Sequence, residues 1–239
     1  MPLPFFYTDE IKTTATQFIL NEETSKHVVQ VLRMQNGEQL LLTDGKGNLF
    51  NAEIIDDNRK KCVVKILSLS TQSPPTKKNT VAISLVKNST RFEWFLEKAT
   101  EIGVNEIVPL LCSRTEKQHF RLDRMKNILI SAMLQSQQSW LPVLHEPVKY
   151  NEYIKQVNTY TTQQKFIAHC EEENLKKQLI NSILSNSAER LILIGPEGDF
   201  TKEEIAAALQ NNFLAVALGD TRLRTETAGI VAATLLCNY

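Results

Sequence analysis

The sequence has 239 residues, with 27 lysines and arginines against 27 aspartates and glutamates, so its formal net charge is zero. A hydrophobic content of 42% and a charged content of 23% are those of an ordinary globular protein, and the length allows one large core or two smaller ones. The zero net charge excludes nucleic-acid binding through bulk basicity, so a nucleic-acid partner would require a local basic patch.

Membrane insertion, secretion and metal binding are not expected. No apolar run approaches the roughly 18–20 residues of a membrane span, and the N-terminal segment MPLPFFYTDE lacks the pattern of a signal peptide. The histidines show no ligand spacing. Four cysteines lie far apart without a CxxC pair, which argues against a zinc site or a disulfide framework and fits a reducing cytoplasm: Cys62, Cys112, Cys170 and Cys237.

Residues 1–72 are predicted to form a small, barrel-like β domain with one helix. The helix is expected over about residues 22–33, with Asn21 as its N-cap. The polar segment Ser70–Asn79 contains two adjacent prolines and has the composition of a linker, so a second domain is expected over residues 73–239. Turn residues separate three expected strands, which are Gln39–Thr43, Leu49–Ile55 and Cys62–Leu67.

Strands alternate with helices in the second part of the chain. Capping boxes at Thr90–Glu93 and Thr201–Glu204 are each expected to open a helix, and Gly103 is expected to end the first. Two more helices are expected at about residues 122–138 and Glu226–Leu236. The alternation predicts an α/β domain with a largely parallel sheet. Its expected strands are Val81–Leu85, Glu106–Leu110, Lys165–His169, Arg190–Ile194 and Leu214–Leu218.

Two loops that follow buried strands have the composition of a ligand site. The first, Gly195–Asp199, reads GPEGD, and the second, Leu218–Gly229, contains Arg222 and Arg224. Ligands of open α/β sheets bind beyond the carboxyl ends of the strands, so two such loops on neighbouring strands would form one pocket. The alternative is that both loops have only a structural role, the first as a tight turn and the second as solvated charge. Arginines at a helix N-terminus oppose the helix dipole, however, which argues against this alternative for the second loop.

Familiar nucleotide-binding and hydrolase motifs are missing from the sequence. There is no GxxxxGK[ST] and no GxSxG, and Gly45-x-Gly47 lacks the third glycine of a dinucleotide fingerprint. A small-molecule enzyme with a phosphate-containing cofactor would therefore lack a recognisable phosphate cradle.

The two loops together resemble the C-terminal signature of the ribosomal RNA small subunit methyltransferase E family, which belongs to the SPOUT methyltransferases. Segments within His27–Gly37 and Lys98–Arg114 resemble its N-terminal and central signatures, so the resemblance spans nearly the whole chain. The residues that carry the C-terminal match are Gly195-Pro196-Glu197-Gly198 and Leu218-Gly219-x-x-x-Leu223-Arg224-x-Glu226-Thr227-Ala228.

The resemblance implies a PUA-like, RNA-binding β-barrel over residues 1–72. It also implies a SPOUT domain over residues 73–239, with a parallel sheet, a trefoil knot and a cofactor site at about residues 190–239. The implied protein is a cytoplasmic homodimer that uses S-adenosylmethionine to methylate N3 of a specific uridine in small-subunit (16S) ribosomal RNA. A non-catalytic ribosome-assembly factor that keeps the fold and binds RNA is the alternative.

Three positions depart from the family pattern. Asp199 replaces the usual second glycine of GPEGG, and Leu134 and Gln138 replace a usual glutamate and arginine. No catalytic or RNA-binding role is expected of the last two.

Site residues are expected within these motifs and in one basic segment. Arg224 is expected to contact the uracil oxygens, where negative charge develops as N3 loses its proton. Glu226 is either the base or a helix-capping carboxylate. The expected cofactor contacts are Ile194, Gly195, Pro196, Glu197, Gly198, Leu218, Gly219, Leu223, Arg224, Thr227 and Ala228. The expected RNA contacts, with a solvated helix face as the alternative, are Arg33, Arg114, Lys117, Arg121 and Arg124.

Overall fold

The structure of the protein is a computed structural model, which describes residues 3–116, 119–157, 164–171, 176–184 and 187–239. Its contacts divide the chain into two units. The first unit comprises Met1–Pro74 and Met133–Leu141, and the second comprises Pro75–Ala132 and Pro142–Tyr239.

The first unit is built on a five-stranded sheet in the order β1-β3-β4-β5-β2. Only β1 and β3 pair in parallel, and the other pairings are antiparallel. Alternate side chains such as Leu40, Leu42 and Phe50 are fully buried, as expected for strands with one face on a core. The strands are β1 (Phe5–Tyr7), β2 (Gln17–Ile19), β3 (Gln39–Thr43), β4 (Asn48–Asp56) and β5 (Val63–Thr71).

A later segment of the chain returns to this first unit. The backbone N–H of Gly47 donates to the carbonyl of Ser139 at 2.9 Å, and the N–H of Leu141 donates to the carbonyl of Gly45 at 2.9 Å. The segment lies beyond the expected domain boundary at residues 72 and 73, and that boundary stays a prediction.

The predicted helix of the first unit is present but differs from a regular α-helix. The Asn21 cap is confirmed, because its side chain accepts a hydrogen bond from the N–H of Thr24 at 2.8 Å. Helix α1 (Glu22–Lys26) then continues as a π-helical turn, His27–Val31. Arg33 follows with φ +57°, so the regular helix expected up to residue 33 was wrong at its C-terminal end.

The second unit contains an eight-stranded sheet in the order β11-β13-β10-β12-β6-β7-β8, with β9 also pairing with β7. Every pairing in it is parallel, which confirms the predicted α/β architecture. The strands are β6 (Lys78–Ser84), β7 (Glu106–Leu111), β8 (Val143–Leu144), β9 (Val148–Lys149), β10 (Gln164–Ala168), β11 (Lys177–Gln178), β12 (Glu189–Ile194) and β13 (Leu214–Ala217).

Strand β5 runs through Thr71 and β6 begins at Lys78. The expected linker Ser70–Asn79 was therefore too long at both ends. Polar residues are compatible with an exposed strand, as at Ser70 and Thr71. The buried Asn79 accommodates its polar backbone through a hydrogen bond from its N–H to Asn105. The remaining helices are α2 (Ser89–Ile102), α3 (Leu122–Gln135), α4 (Tyr150–Val157), α5 (Lys202–Gln210) and α6 (Thr225–Asn238).

Two of the three predicted helix-end signals in the second unit are confirmed. Gly103 ends α2 with φ +98°, and its N–H donates to the carbonyls of Ala99 and Thr100. Thr201 and Glu204 form a complete capping box at the start of α5. The predicted box at Thr90–Glu93 was wrong.

Asn88 caps α2 instead. Its side chain accepts a hydrogen bond from the N–H of Thr90 at 2.9 Å, and Glu93 forms an ion pair with Arg124. An asparagine two residues upstream therefore takes the role assigned to the threonine.

Helix α6 packs against β6, β12 and α2 and carries one edge of the site described below. Gly229 allows this close packing, because a Cβ there would lie 2.7 Å from the Phe95 ring and 2.8 Å from Ile83. At its far end, the fully buried Arg190 of β12 donates from Nη1 to the carbonyl of Leu236 at 2.8 Å. These contacts fix the position of the helix on the sheet.

Candidate active site

The carboxyl ends of β10, β12 and β13, which are adjacent in the sheet, border one cavity with a volume of ≈ 560 Å³. Its lining combines apolar and charged side chains, as expected of a site for an organic molecule with both kinds of group. The lining residues come from the end of β10 and the loop after it (168–170), the end of β12 and the loop after it (194–199 without 198), the segment from β13 into α6 (216–225), Lys176 and Ala228.

Nine of the eleven residues expected to contact a cofactor line this cavity, and Gly198 and Thr227 do not. The expectation that the two loops follow directly neighbouring strands was wrong, because β10 lies between β12 and β13. The last residue of β10, Ala168, and the loop after it, with His169 and Cys170, therefore contribute to the lining, which sequence reasoning missed. The apolar strand before them was predicted, but its place in the strand order was not.

The GPEGD loop is a tight turn with one residue in the left-handed region. The N–H of Asp199 donates to the carbonyl of Pro196 at 2.9 Å, and Asp199 has φ +64°. Aspartate is among the few residues other than glycine that tolerate this region. The departure from the family's glycine at this position is therefore compatible with the same turn.

Three side-chain contacts tie the GPEGD loop to the loops after other strands. Glu197 accepts a hydrogen bond from the N–H of Lys87, after β6, at 3.0 Å. Arg114, after β7, donates from Nη1 to the carbonyl of Gly198 at 2.6 Å. Asp199 accepts a hydrogen bond from the N–H of Cys170, after β10, at 2.7 Å. The loop is thus fixed from three directions.

Glu204 reinforces this arrangement from the first turn of α5. Its Oε1 accepts hydrogen bonds from the N–H and the hydroxyl of Ser113 at 2.8 and 3.0 Å, and its Oε2 accepts one from the N–H of Thr201 at 2.9 Å. Tyr150 donates its hydroxyl to the carbonyl of Glu204 at 2.7 Å. This buried carboxylate connects the end of β7 to the helix that follows the GPEGD loop.

The second loop leaves β13 through Gly219, which has φ +140°. A Cβ at Gly219 would meet no atom within 4 Å, so the backbone there borders open space. Arg224 occupies the N-cap position of α6 and is exposed. Its carbonyl accepts a hydrogen bond from the N–H of Ala228 at 2.8 Å, but its side chain makes no hydrogen bond or ion pair with a residue that the structure describes. Its guanidinium is available to a ligand.

Glu226 lies in the first turn of α6, outside the cavity lining. Its side chain is 8% exposed, and its Oε1 is 3.6 Å from Nε of Arg91. Its Oε2 has no hydrogen-bond partner among the described residues. This position suits a carboxylate that stabilises the start of a helix, whereas a base would have to reach the cavity.

The expected RNA-binding residues do not share one environment. Arg124 forms two hydrogen bonds with Glu93, at 2.7 and 2.9 Å, and this bonding holds the pKa of Glu93 below its usual value. Arg114 is tied to the GPEGD loop, whereas Arg121 and Arg33 are exposed. Lys117 lies outside the described residues.

Partial burial and the neighbouring Asp199 raise the pKa of the Cys170 thiol above its ordinary value, which disfavours the thiolate. Among the residues with described positions, no three His, Cys, Asp or Glu side chains gather as metal ligands would. None of the helices in the described ranges combines the length and the apolar character needed to cross a membrane.

Comparison with known proteins relates both parts of the chain to RNA methyltransferases. The RNA methyltransferase domain family matches residues 72–237, and the RNA methyltransferase PUA domain family matches residues 20–67. The ribosomal RNA small subunit methyltransferase E of Rickettsia conorii is 30% identical over 211 residues, which are 86% of this chain and 83% of that protein. The Synechocystis protein of the same name is 30% identical over 86% of this chain and 68% of its own length.

Solved structures agree with the sequence comparison. A probable rRNA-methyltransferase from Porphyromonas gingivalis superimposes with a TM-score of 0.89 at 37% identity, over 98% of both chains. The ribosomal RNA small subunit methyltransferase E of Neisseria gonorrhoeae, bound to S-adenosyl methionine, has a TM-score of 0.86 at 29% identity, over 97% of this chain and 95% of its own. The chain therefore belongs to the ribosomal RNA small subunit methyltransferase E family.

Proposed function

We propose that the protein uses S-adenosylmethionine to methylate N3 of a uridine in small-subunit ribosomal RNA. The observation that carries this proposal is the cavity at the ends of β10, β12 and β13, with the unpaired Arg224 at its edge. Its support from relatives is the Neisseria gonorrhoeae structure, which contains S-adenosyl methionine. When bound, the cofactor supplies an electrophilic methyl group.

The residues of the cavity fit this cofactor in polarity and shape. Apolar side chains including Ile194, Leu218, Leu223 and Ala228 offer a surface for the adenine ring and the carbon chain, and charged side chains lie beside them. The open space at Gly219 lets the ligand approach the backbone closely. We therefore assign cofactor contacts to the expected residues, including Gly198 and Thr227 as neighbours of lining residues.

Arg224 is assigned the contact with the target base. Uracil N3 carries a proton near neutral pH, and its loss places negative charge on the carbonyl oxygens. A guanidinium beside those oxygens stabilises the charge. Because N3 lies on the Watson–Crick edge, the uridine must be unpaired or flipped out of its helix. The assignment of Glu226 as the base stays a prediction, and its position beside Arg91 favours the structural alternative.

RNA binding is assigned to both predicted domains, residues 1–72 and 73–239. The match to the PUA domain family supports an RNA-binding barrel in the first, where Arg33 is exposed. Arg121 and Lys117 are assigned phosphate contacts in the second. Phosphate contacts predict that affinity for RNA falls steeply as the salt concentration rises, and affinity independent of salt would contradict them.

We also propose that the protein is a cytoplasmic homodimer with a trefoil knot. Helix α6 is apolar around much of its circumference, with Ile230, Val231 and Leu235 half-buried, and Trp94 is 44% exposed on the adjacent α2. A second copy would cover this surface. The chain passes from β12 to β13, on either side of β10, and α6 then packs against β6 and β12, an order that is compatible with the knot.

The alternative of a non-catalytic assembly factor rests on the departures from the family pattern. One of them is no longer evidence for it, because Asp199 is compatible with the turn that a glycine would make. The structure does not explain Leu134 and Gln138.

An Arg224→Ala variant tests the proposed function. With unmethylated small subunits as substrate, its turnover should fall roughly 100-fold, as when a donor to a developing oxyanion is removed. Its affinity for S-adenosylmethionine, measured by calorimetry, should stay within about three-fold, because backbone and apolar contacts remain. Lys202→Ala, an exposed change on α5, is the control. Wild-type turnover in Arg224→Ala would remove this residue from the mechanism.

A further inference from the structure

One carboxylate bridges two loops of the cavity. Oδ2 of Asp199 accepts a hydrogen bond from the N–H of Cys170 at 2.7 Å, and Oδ1 accepts one from the N–H of Phe200 at 2.8 Å. Cys170 follows β10 and Asp199 follows β12, so the bond joins segments that are 29 residues apart in sequence. Both Cys170 and Asp199 line the cavity.

The backbone at this position explains why aspartate can replace glycine. Asp199 has φ +64°, and its N–H closes the turn on the carbonyl of Pro196. A glycine would adopt the same turn without strain but could not make the bridge to Cys170. This chain therefore has a connection between the two loops that the usual family residue cannot provide.

The contacts of Asp199 argue against a direct role as a ligand for the cofactor. Each carboxylate oxygen already accepts a hydrogen bond from a backbone N–H. Hydrogen bonds to an ionised acceptor are roughly twice as strong as neutral ones, so they restrict both loops. A site whose loops are held in the binding arrangement loses less entropy when a ligand binds.

We propose that Asp199 is a positioning residue for the cofactor site: it holds the loop after β10 against the loop after β12 in the arrangement that binds S-adenosylmethionine. This inference rests on the proposed function, since it concerns the same cavity. The residue acts through Cys170 and Phe200 and not on the reacting atoms.

The substitution Asp199→Gly removes the bridge and keeps the turn. If the loops then sample open arrangements, only a fraction of the molecules can bind the cofactor. The apparent Kd rises in inverse proportion to that fraction. We expect the Kd for S-adenosylmethionine to rise about ten-fold. Asp199→Asn tolerates the same backbone and keeps one acceptor oxygen, so its Kd should lie between those of the wild type and Asp199→Gly.

Asn212→Gly is the matched control for the backbone. Asn212 also has a positive φ, +62°, and is exposed outside the cavity lining. Replacing it by glycine changes the same kind of backbone position without removing a bridge between loops. Its Kd for S-adenosylmethionine should equal that of the wild type.

Calorimetry with S-adenosylmethionine, amide hydrogen exchange at Cys170 and steady-state kinetics test the proposal together. In Asp199→Gly, the Cys170 amide should exchange faster. The KM for the cofactor should rise because the open molecules do not bind it. The kcat should stay within about two-fold, because the complex, once formed, has its loops in the wild-type arrangement. Partial recovery in Asp199→Asn would distinguish loss of the bridge from general damage. If Asp199→Gly does not fold, Asp199→Asn provides the same readouts.

Two outcomes would overturn the proposal. One is wild-type affinity in Asp199→Gly, with or without a loss of thermal stability, because a purely structural residue would affect only stability. The other is unchanged exchange at Cys170. Failure of the wild-type protein to bind S-adenosylmethionine would instead contradict the proposed function, and the exchange measurement would still report whether the bridge exists.

Discussion

The guanidinium of Arg114 donates from Nη1 to the carbonyl of Gly198 at 2.6 Å, across 84 residues of sequence. This residue was expected to contact RNA, but its hydrogen bond supports the loop that borders the cavity. Arg114→Ala should therefore raise the Kd for S-adenosylmethionine roughly five-fold, since the hydrogen bond to the Gly198 carbonyl and a longer one to the Phe200 carbonyl, at 3.4 Å, are lost. Calorimetry provides the measurement.

Arg121→Ala is the comparison for Arg114→Ala, because Arg121 is an exposed arginine just before α3 and makes no contact with the GPEGD loop among the described hydrogen bonds. It should leave cofactor affinity unchanged and lower RNA affinity. The opposite result, with Arg114→Ala affecting only RNA affinity and its salt dependence, would restore the first interpretation of Arg114.

Removal of the Glu204 carboxylate should destabilise the second unit. Glu204→Ala removes a buried carboxylate and leaves the N–H groups of Ser113 and Thr201, which are partly buried, without their acceptor. We expect the free energy of unfolding to fall by about 2 kcal/mol in urea titrations. Lys202→Ala, an exposed change in the same turn of α5, should have no measurable effect. Equal stability of Glu204→Ala and the wild type would contradict the account of this network.

The two interpretations of Glu226 predict different kinetics. A general base contributes about 100-fold or more to the rate, whereas a helix-start carboxylate contributes to stability. Since Glu226 is buried beside Arg91 and outside the cavity lining, Glu226→Gln should keep kcat within about three-fold and lower the thermal midpoint. A loss of turnover without a loss of cofactor affinity or stability would identify Glu226 as the base.

Lowering the pH should reduce the free energy of unfolding, because the carboxyl of Glu106 becomes protonated. Burial acts to raise the pKa of its carboxyl, but the contacts with Lys78, at 2.8 Å, and with His145, at 2.6 Å, outweigh it, so the pKa lies below its ordinary value of 4.5. A lowered pKa in the folded state contributes stability above pH 4.5 that is lost as the pH falls further.

Urea unfolding between neutral pH and pH 3 measures this contribution. The stability of the wild type should decline more steeply below pH 4.5 than that of Glu106→Gln, which has no carboxyl to protonate at this position. Parallel pH profiles for the two proteins would show that Glu106 makes no such contribution.

Helix ends could be predicted from the sequence where all the interacting groups lie in one short segment. Asn21, Gly103 and the Thr201–Glu204 box each act on backbone groups within four residues, and all three are confirmed. The same reasoning failed at Thr90, because Asn88 offers a competing cap two residues earlier. Sequence patterns therefore predicted the elements well but their ends less reliably.

Contacts between segments that are far apart in the sequence could not be predicted in this way. The glycine-rich loops indicated a cavity, because parallel strands end at one edge of a sheet. The position of β10 between β12 and β13 depends on the path of the entire chain, so the contribution of His169 and Cys170 was missed. The bond between Asp199 and Cys170 likewise depends on strand order, and no motif in the sequence indicates it.

The proposed function requires that an N3-methyluridine in small-subunit ribosomal RNA depends on this protein. Mass spectrometry of that RNA from cells with and without the gene tests it most directly. We expect one N3-methyluridine to be missing when the gene is deleted, and to return with the wild-type gene but not with the Arg224→Ala variant. Identical methylation of the RNA from both kinds of cell would contradict the proposed function.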